Sequence, residues 1–299
     1  MITNQIITGN IGDDTISIII LDNQNEIDTI DVKSLIRVNG RIGPWDLTIN
    51  EKQQLLILNS YDESLIALDL FTKDILARAK LGRSPVCIRV YNKRIYILNC
   101  DSNSLSIMDE DSMILLEEIY LDEKPSDIQI DINTNTAYIA NSNGNSISII
   151  NLTDNTMNVI NITAQPFRLI VERNYIYILS YINNGVINYS SISSMDKVSK
   201  EVKEFKIKGV FIDIVMIDNN NFLLTNPEDG YLYNFNLDEK KLSKRIYLGG
   251  MPSKIIWDTK NMLYITDLLN SSVLFVDLLQ NNIVKKIKVG KEPQGFILL

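Results

Sequence analysis

The chain has 299 residues, 45% of them hydrophobic and 22% charged, with a net charge of −8 at neutral pH. That is a globular composition with ample apolar mass for a large core, and the acid excess disfavours non-specific nucleic-acid binding and docking on anionic lipid. Histidine is absent and there are two cysteines, Cys87 and Cys100, which removes the commonest general base and zinc ligand and leaves too few thiols for a disulfide framework.

In chain order, the N-terminus "MITNQIITGN" has no basic n-region, and the longest apolar run near it, "IIIL" (18–21), is strand-sized. No signal peptide and no transmembrane helix are expected, and the default location is cytoplasmic. Residues 5–21, "QIITGNIGDDTISIIIL", match residues 136–152, "TAYIANSNGNSISIINL". Each reads as two short strands joined by a polar turn. From Asn10 the next register proline, Pro44, lies 34 residues on, against 26 from Asn59 to Pro85. An extra loop or hairpin is therefore expected near 31–43.

From Pro44 onward the chain repeats. A short turn ends in proline at Pro44, Pro85, Pro125, Pro166, Pro252 and Pro293, and Phe211 takes the same place in "IKGVF"; the spacings are 41, 40, 41, 45, 41 and 41. A period near forty suits four short strands and their turns. Within a unit, "VCIRV" (86–90) alternates, "IYILN" (95–99) is apolar, and "SLSIM" (104–108) and "LLEEIYL" (115–121) follow after polar loops. Period-two patterns cut by Asn, Asp, Ser and Gly indicate short antiparallel strands. Helical periodicity is lacking, although "SSMDKVSKEVKEF" (193–205) in the longer fourth unit allows a short helical turn.

Only "QGFILL" follows Pro293, one strand, while the N-terminus lacks the strand that precedes its phrase elsewhere. The two ends complete one unit in the register of the others. The expected fold is all-β: a seven-bladed β-propeller with four antiparallel strands per blade, its last blade closed by the N- and C-terminal segments. The blades span about 44–84, 85–124, 125–165, 166–210, 211–251, 252–292, and 293–299 with 1–43, in a single domain over 1–299. Radial packing buries both faces of each sheet, and closing the ring pairs otherwise open edges.

The second-strand phrases "YIAN" (138–141), "YILN" (96–99) and "YITD" (264–267), with "NSISIIN", "NSLSIMD" and "SSVLFVD" after them, resemble the YVTN-type β-propeller repeat. The resemblance covers nearly the whole chain. It departs in the fourth and fifth units, where Ser180 replaces the Asn and Phe211 the Pro. It implies the fold specifically and function only loosely, because the family spans cytoplasmic, periplasmic and surface proteins.

The recurring Asn10, Asn59, Asn99, Asn141 and Asn226, with Asp267, sit where a strand enters a loop and read as structural. Two residues after each proline stand Asp46, Cys87, Asp127, Arg168, Asp213, Lys254 and Gly295, and the next position is apolar throughout. This predicts a polar ring about the axis. Its candidate binding residues are Asp46, Asp127, Arg168, Asp213 and Lys254, engaged either in inter-blade ion pairs or with a small polar ligand. Carboxylates at Asp46, Asp127 and Asp213 suit a hard cation, but Arg168 and Lys254 would repel one, and no metal or other cofactor is expected. One loop face offers Arg41, Tyr61, Arg83, Lys124, Tyr181 and Glu228 as a second candidate patch. Cys87 and Cys100 fall on a diagonal of one hairpin, too far apart for an unstrained disulfide. Neither a phosphate loop nor a nucleophile elbow occurs in the sequence.

These features lead to the expectation of a monomeric, non-catalytic binding or scaffold propeller that recognises another protein or a small polar ligand. Two alternatives stand beside it. The first is a metal-dependent, lactonase-like hydrolase, since propellers similar to this one include sugar-lactone hydrolases whose calcium is held by acidic and Asn ligands. A streptogramin-inactivating lyase of similar fold depends on histidine, which is missing here. The second alternative is an exported surface or adhesion propeller.

Overall fold

A computed structural model describes residues 4–21, 26–183 and 188–299. Seven four-stranded antiparallel sheets form a ring, with almost no helix. Blade two is typical, with strands Pro85–Tyr91, Arg94–Asn99, Ser104–Asp109 and Leu115–Tyr120. Their burial explains the sequence pattern. The second and third strands are buried on both faces, between neighbouring blades, whereas the outermost strand Leu115–Tyr120 is largely exposed. The apolar position three after each proline (Leu47, Ile88, Ile128, Leu169 and their equivalents) is buried in every blade.

The closing blade has the strand order expected. Pro293–Leu298 pairs with Gln5–Asn10, which pairs with Thr15–Ile20 and then Ile27–Asp31. Asn10 faces Pro293 as Asn59 faces Pro44, Asn99 faces Pro85 and Asn141 faces Pro125. The termini therefore share the register of the complete blades.

Three of the recurring asparagines, Asn10, Asn99 and Asn141, hold their blades together in the same way. Asn10 Nδ2 donates to Thr15 Oγ1 and Ser17 Oγ, both at 2.9 Å. Asn141 Nδ2 donates to Ser146 Oγ at 3.1 Å and Ser148 Oγ at 2.9 Å. Asn99 makes the same pair of bonds with Ser104 and Ser106. These amides are fully buried, so they fix the hairpin between the second and third strands and do not face a ligand.

Two local expectations differ from the structure. The insertion near 31–43 contains a one-turn helix, Val32–Ile36, capped by Asp31, whose carboxylate accepts the Ser34 N–H at 2.9 Å. Residues 193–205 hold no helix. They belong to two strands, Asn188–Asp196 and Val202–Lys208, joined by a turn. There the Asp196 carboxylate accepts the Val198 and Ser199 N–H groups, so local side-chain bonding favours a turn over a helix.

Candidate functional site

The innermost strands are irregular at one repeated point. Pairing shifts between Pro44 and Asp46, Pro85 and Cys87, Pro125 and Asp127, and Pro166 and Arg168. One residue is bulged out each time, which re-aims the residue that follows. The residues re-aimed in this way, Asp46, Cys87, Asp127 and Arg168, are four of those predicted for the polar ring. Asp46, Cys87, Asp127, Arg168, Asp213 and Lys254 all line one cavity of about 510 Å³. Blade seven has Gly295 at this position. A Cβ there would sit 3.0 Å from Leu47 Cγ and 3.2 Å from the Trp45 carbonyl, so blade one leaves no room for a side chain.

The three carboxylates are clamps between blades. Asp46 accepts the Ile88 N–H at 3.0 Å, Asp127 the Leu169 N–H at 2.9 Å, and Asp213 the Ile255 N–H at 3.0 Å. Each thus binds the backbone of the next blade. Guanidinium groups bind what remains. Arg89 bridges Asp46 and Asp127, both at 3.3 Å, and Arg168 Nε donates to Asp213 at 3.0 Å. Asp213 and Asp127 outweigh burial to hold the Arg168 pKa above its ordinary value.

This bonding does not fit the hard-cation reading of Asp46, Asp127 and Asp213. Their oxygens are engaged by backbone N–H groups and guanidinium, and among the described residues no group of three His, Cys, Asp or Glu side chains could hold a metal ion.

Lys254 stands apart. Among the described residues it has no carboxylate partner within ion-pair distance, whereas Arg89 and Arg168 are both paired. Burial first, and then Arg168 nearby, lower its pKa from the ordinary lysine value, with Asp213 opposing. Cys87 lies in the same cavity, but burial raises its thiol to about 12, so it is not a ready nucleophile.

Arg89 is a cavity residue that the sequence reading missed. It lies two positions beyond Cys87 on the same strand face, level with Gln129 and Thr48, which also line the cavity. Extending the ring by one period of two would have found it.

The cavity has two unlike walls. Blades one to five contribute most of its charged and polar groups. Blades six and seven contribute Ile256, Trp257, Phe296, Ile297 and Leu298 beyond Lys254. Both tryptophans of the chain, Trp45 and Trp257, line it.

The loop-face candidates do not form one site. The Arg41 guanidinium lies 4.7 Å from the Tyr61 ring centroid and donates to the Ile11 carbonyl. Arg83, Tyr61 and Trp45 line a shallow hollow with Asp101, and Lys124 Nζ pairs with Asp101 at 2.5 Å. Tyr181 is half-buried and Glu228 exposed, and both lie in blades four and five, away from that hollow.

No family model and no curated protein sequence matches the chain. Solved structures do. A putative 6-phosphogluconolactonase from Bacteroides fragilis is similar over 98% of this chain and 97% of its own, at 13% identity and a TM-score of 0.74. A catalytically inactive histidine-to-alanine variant of virginiamycin B lyase from Staphylococcus aureus, with quinupristin, matches over 86% and 89%, at 16% identity and 0.72. Hydrazine synthase from Kuenenia stuttgartiensis matches over 86% and 90%, at 19% identity and 0.76. At these identities the likeness is one of fold.

The expectation of a non-catalytic binding or scaffold propeller is corrected here. These neighbours bear the names of enzymes. The axis also holds Lys254, a cation without a carboxylate partner among the described residues, in a half-open cavity lined by charged groups.

Proposed function

We propose that the chain is a lactonase-like hydrolase of the YVTN-type propeller class, acting in the axial cavity without a metal. The repeat phrases around "YIAN" and "YILN" support the class. The similarity to a putative 6-phosphogluconolactonase supports lactone chemistry. The observation that carries the reading is Lys254, the cation of the cavity that has no carboxylate partner among the described residues and whose pKa is lowered by burial.

A lysine with a lowered pKa can exist as a neutral amine and act as a general base. Water attacks the lactone carbonyl and passes a proton to Lys254 Nζ. The negative charge that develops on the carbonyl oxygen is stabilised by Arg168, held in place through Nε on Asp213 and Nη1 on the Phe167 carbonyl. A guanidinium has five N–H donors, so others remain after those two bonds. The ring C–O bond then breaks and the Lys254 ammonium returns its proton to the departing alkoxide. The product is the open hydroxy acid.

A histidine-dependent lyase reaction has no corresponding residue, because the chain has none. The test is lactone hydrolysis by the purified protein in excess chelator, compared with Lys254→Met. Chelator-resistant turnover that falls by roughly 100-fold or more in the variant, in line with loss of a general base, supports the proposal. Turnover that needs added metal, or that survives in the variant, rejects it.

A further inference from the structure

The two walls of the axial cavity have a consequence for the substrate. The polar wall is a network of ion pairs and backbone bonds around Asp46, Arg89, Asp127, Arg168 and Asp213. On the opposite wall, formed by Ile256, Trp257, Phe296, Ile297 and Leu298, only Trp257 has a side-chain polar atom, and that indole N–H is already donated to the Lys260 carbonyl at 3.2 Å. Lys254 stands on the same strand as Ile256 and Trp257, where the polar ring meets the apolar wall. A molecule whose carbonyl lies at Lys254 therefore meets hydrocarbon on the blade-six and blade-seven side.

A polyhydroxylated sugar lactone would find no side-chain partner for its hydroxyl groups on that wall, where only the main-chain edge of the innermost strands is polar. A lactone with an alkyl or aryl substituent would instead bury apolar surface there. We propose that the substrate class is an amphipathic lactone, its ring at the Lys254 and Arg168 end and its apolar substituent against Trp257, Phe296, Ile297 and Leu298. This deepens the hydrolase reading and rests on it for the chemistry, but not for the binding preference.

The two tryptophans make binding measurable without turnover, because both line the cavity and no other tryptophan adds background. Intrinsic fluorescence would be titrated with 2-hexylcyclopentanone, a carbocyclic ketone that cannot be hydrolysed, and with glucono-δ-lactone. In parallel, hydrolysis of γ-decalactone would be compared with that of γ-butyrolactone. The expected result is quenching or shift by the alkyl ketone at a concentration at least about tenfold below any response to the sugar lactone. The expected kcat/KM ratio favours γ-decalactone by on the order of 100-fold. Trp257→Ala and, independently, Ile297→Thr should narrow that ratio by about tenfold, each read on protein with a wild-type circular dichroism spectrum. Preferential alkyl-ketone binding without turnover of any lactone would uphold the amphipathic cavity and reject the hydrolase. Equal or tighter binding of the sugar lactone, no response to either ligand, or an unchanged ratio in both variants would overturn the inference.

Discussion

The Asp213 carboxylate accepts the Ile255 backbone N–H at 3.0 Å across the seam between blades five and six, and its other oxygen accepts Arg168 Nε at 3.0 Å from blade four. One side chain thus couples three consecutive blades. Asp46 and Asp127 repeat the backbone part of this bond at the first-to-second and third-to-fourth seams. The axis is therefore held by polar clamps in addition to apolar packing.

Asp213→Ala should cost about 2–4 kcal/mol of stability, because it strands a buried N–H and a guanidinium together. Asp213→Asn should cost less, since it retains an acceptor for Ile255. Urea unfolding of the two variants checks the order. Equal stability of wild type and Asp213→Ala would mean that the clamp contributes nothing.

A second tie lies away from the axis. Lys197 Nζ of blade four pairs with Asp131 of blade three at 2.5 Å, with both side chains under a tenth exposed. Lys197→Met leaves the carboxylate buried and unpaired, and should cost roughly 3–5 kcal/mol. Burial tends to raise the Asp131 pKa, but the hydrogen bond from Lys197 and those from its own turn outweigh it, and the value falls below the usual 3.8. A carboxylate whose folded pKa is depressed stabilises the fold above the unfolded value and loses that contribution as pH falls through the folded one. The stability gap between wild type and Lys197→Met should therefore be full near neutrality and shrink below 3.8. Denaturant melts at a series of pH values would show it; a gap that does not depend on pH would contradict the assignment.

Removing residues 293–299 strips the innermost strand from the closing blade, the strand that pairs with Gln5–Asn10. It exposes Ile6 and Ile7, now fully buried, and opens an edge on the ring. The truncated chain should unfold at a clearly lower urea concentration than the intact one, as followed by circular dichroism. Coincident melts would contradict ring closure.

The architecture was readable in the sequence because it is repetitive. The proline spacing fixed the register, and the pairing of Asn10 with Pro293 follows from counting residues. The bulge after each proline made the ring positions regular enough to align. Single events were harder to read. The helix Val32–Ile36 depends on one cap, Asp31, inside an insertion that no other blade shares. The roles of Asp46, Asp127 and Asp213 were ambiguous because a carboxylate that accepts a neighbouring blade's N–H looks, in sequence, like one that holds a cation. Arg89 decides between them by filling the space between Asp46 and Asp127, and that contact joins residues about forty positions apart. Lys254 was visible as a charge, but that it has no carboxylate partner among the described residues is a property of the assembled ring.

The most direct measurement for the account is the pH dependence of lactone hydrolysis in excess chelator. In the proposed mechanism a neutral Lys254 is the active form, so kcat/KM should rise with pH and level off through a pKa below the ordinary lysine value of 10.5. Stability should rise with pH across the same window, because the folded protein there binds fewer protons than the unfolded one. A rate that is flat or falls as pH rises, or activity that the chelator abolishes, would contradict a metal-free lysine base at the centre of this propeller.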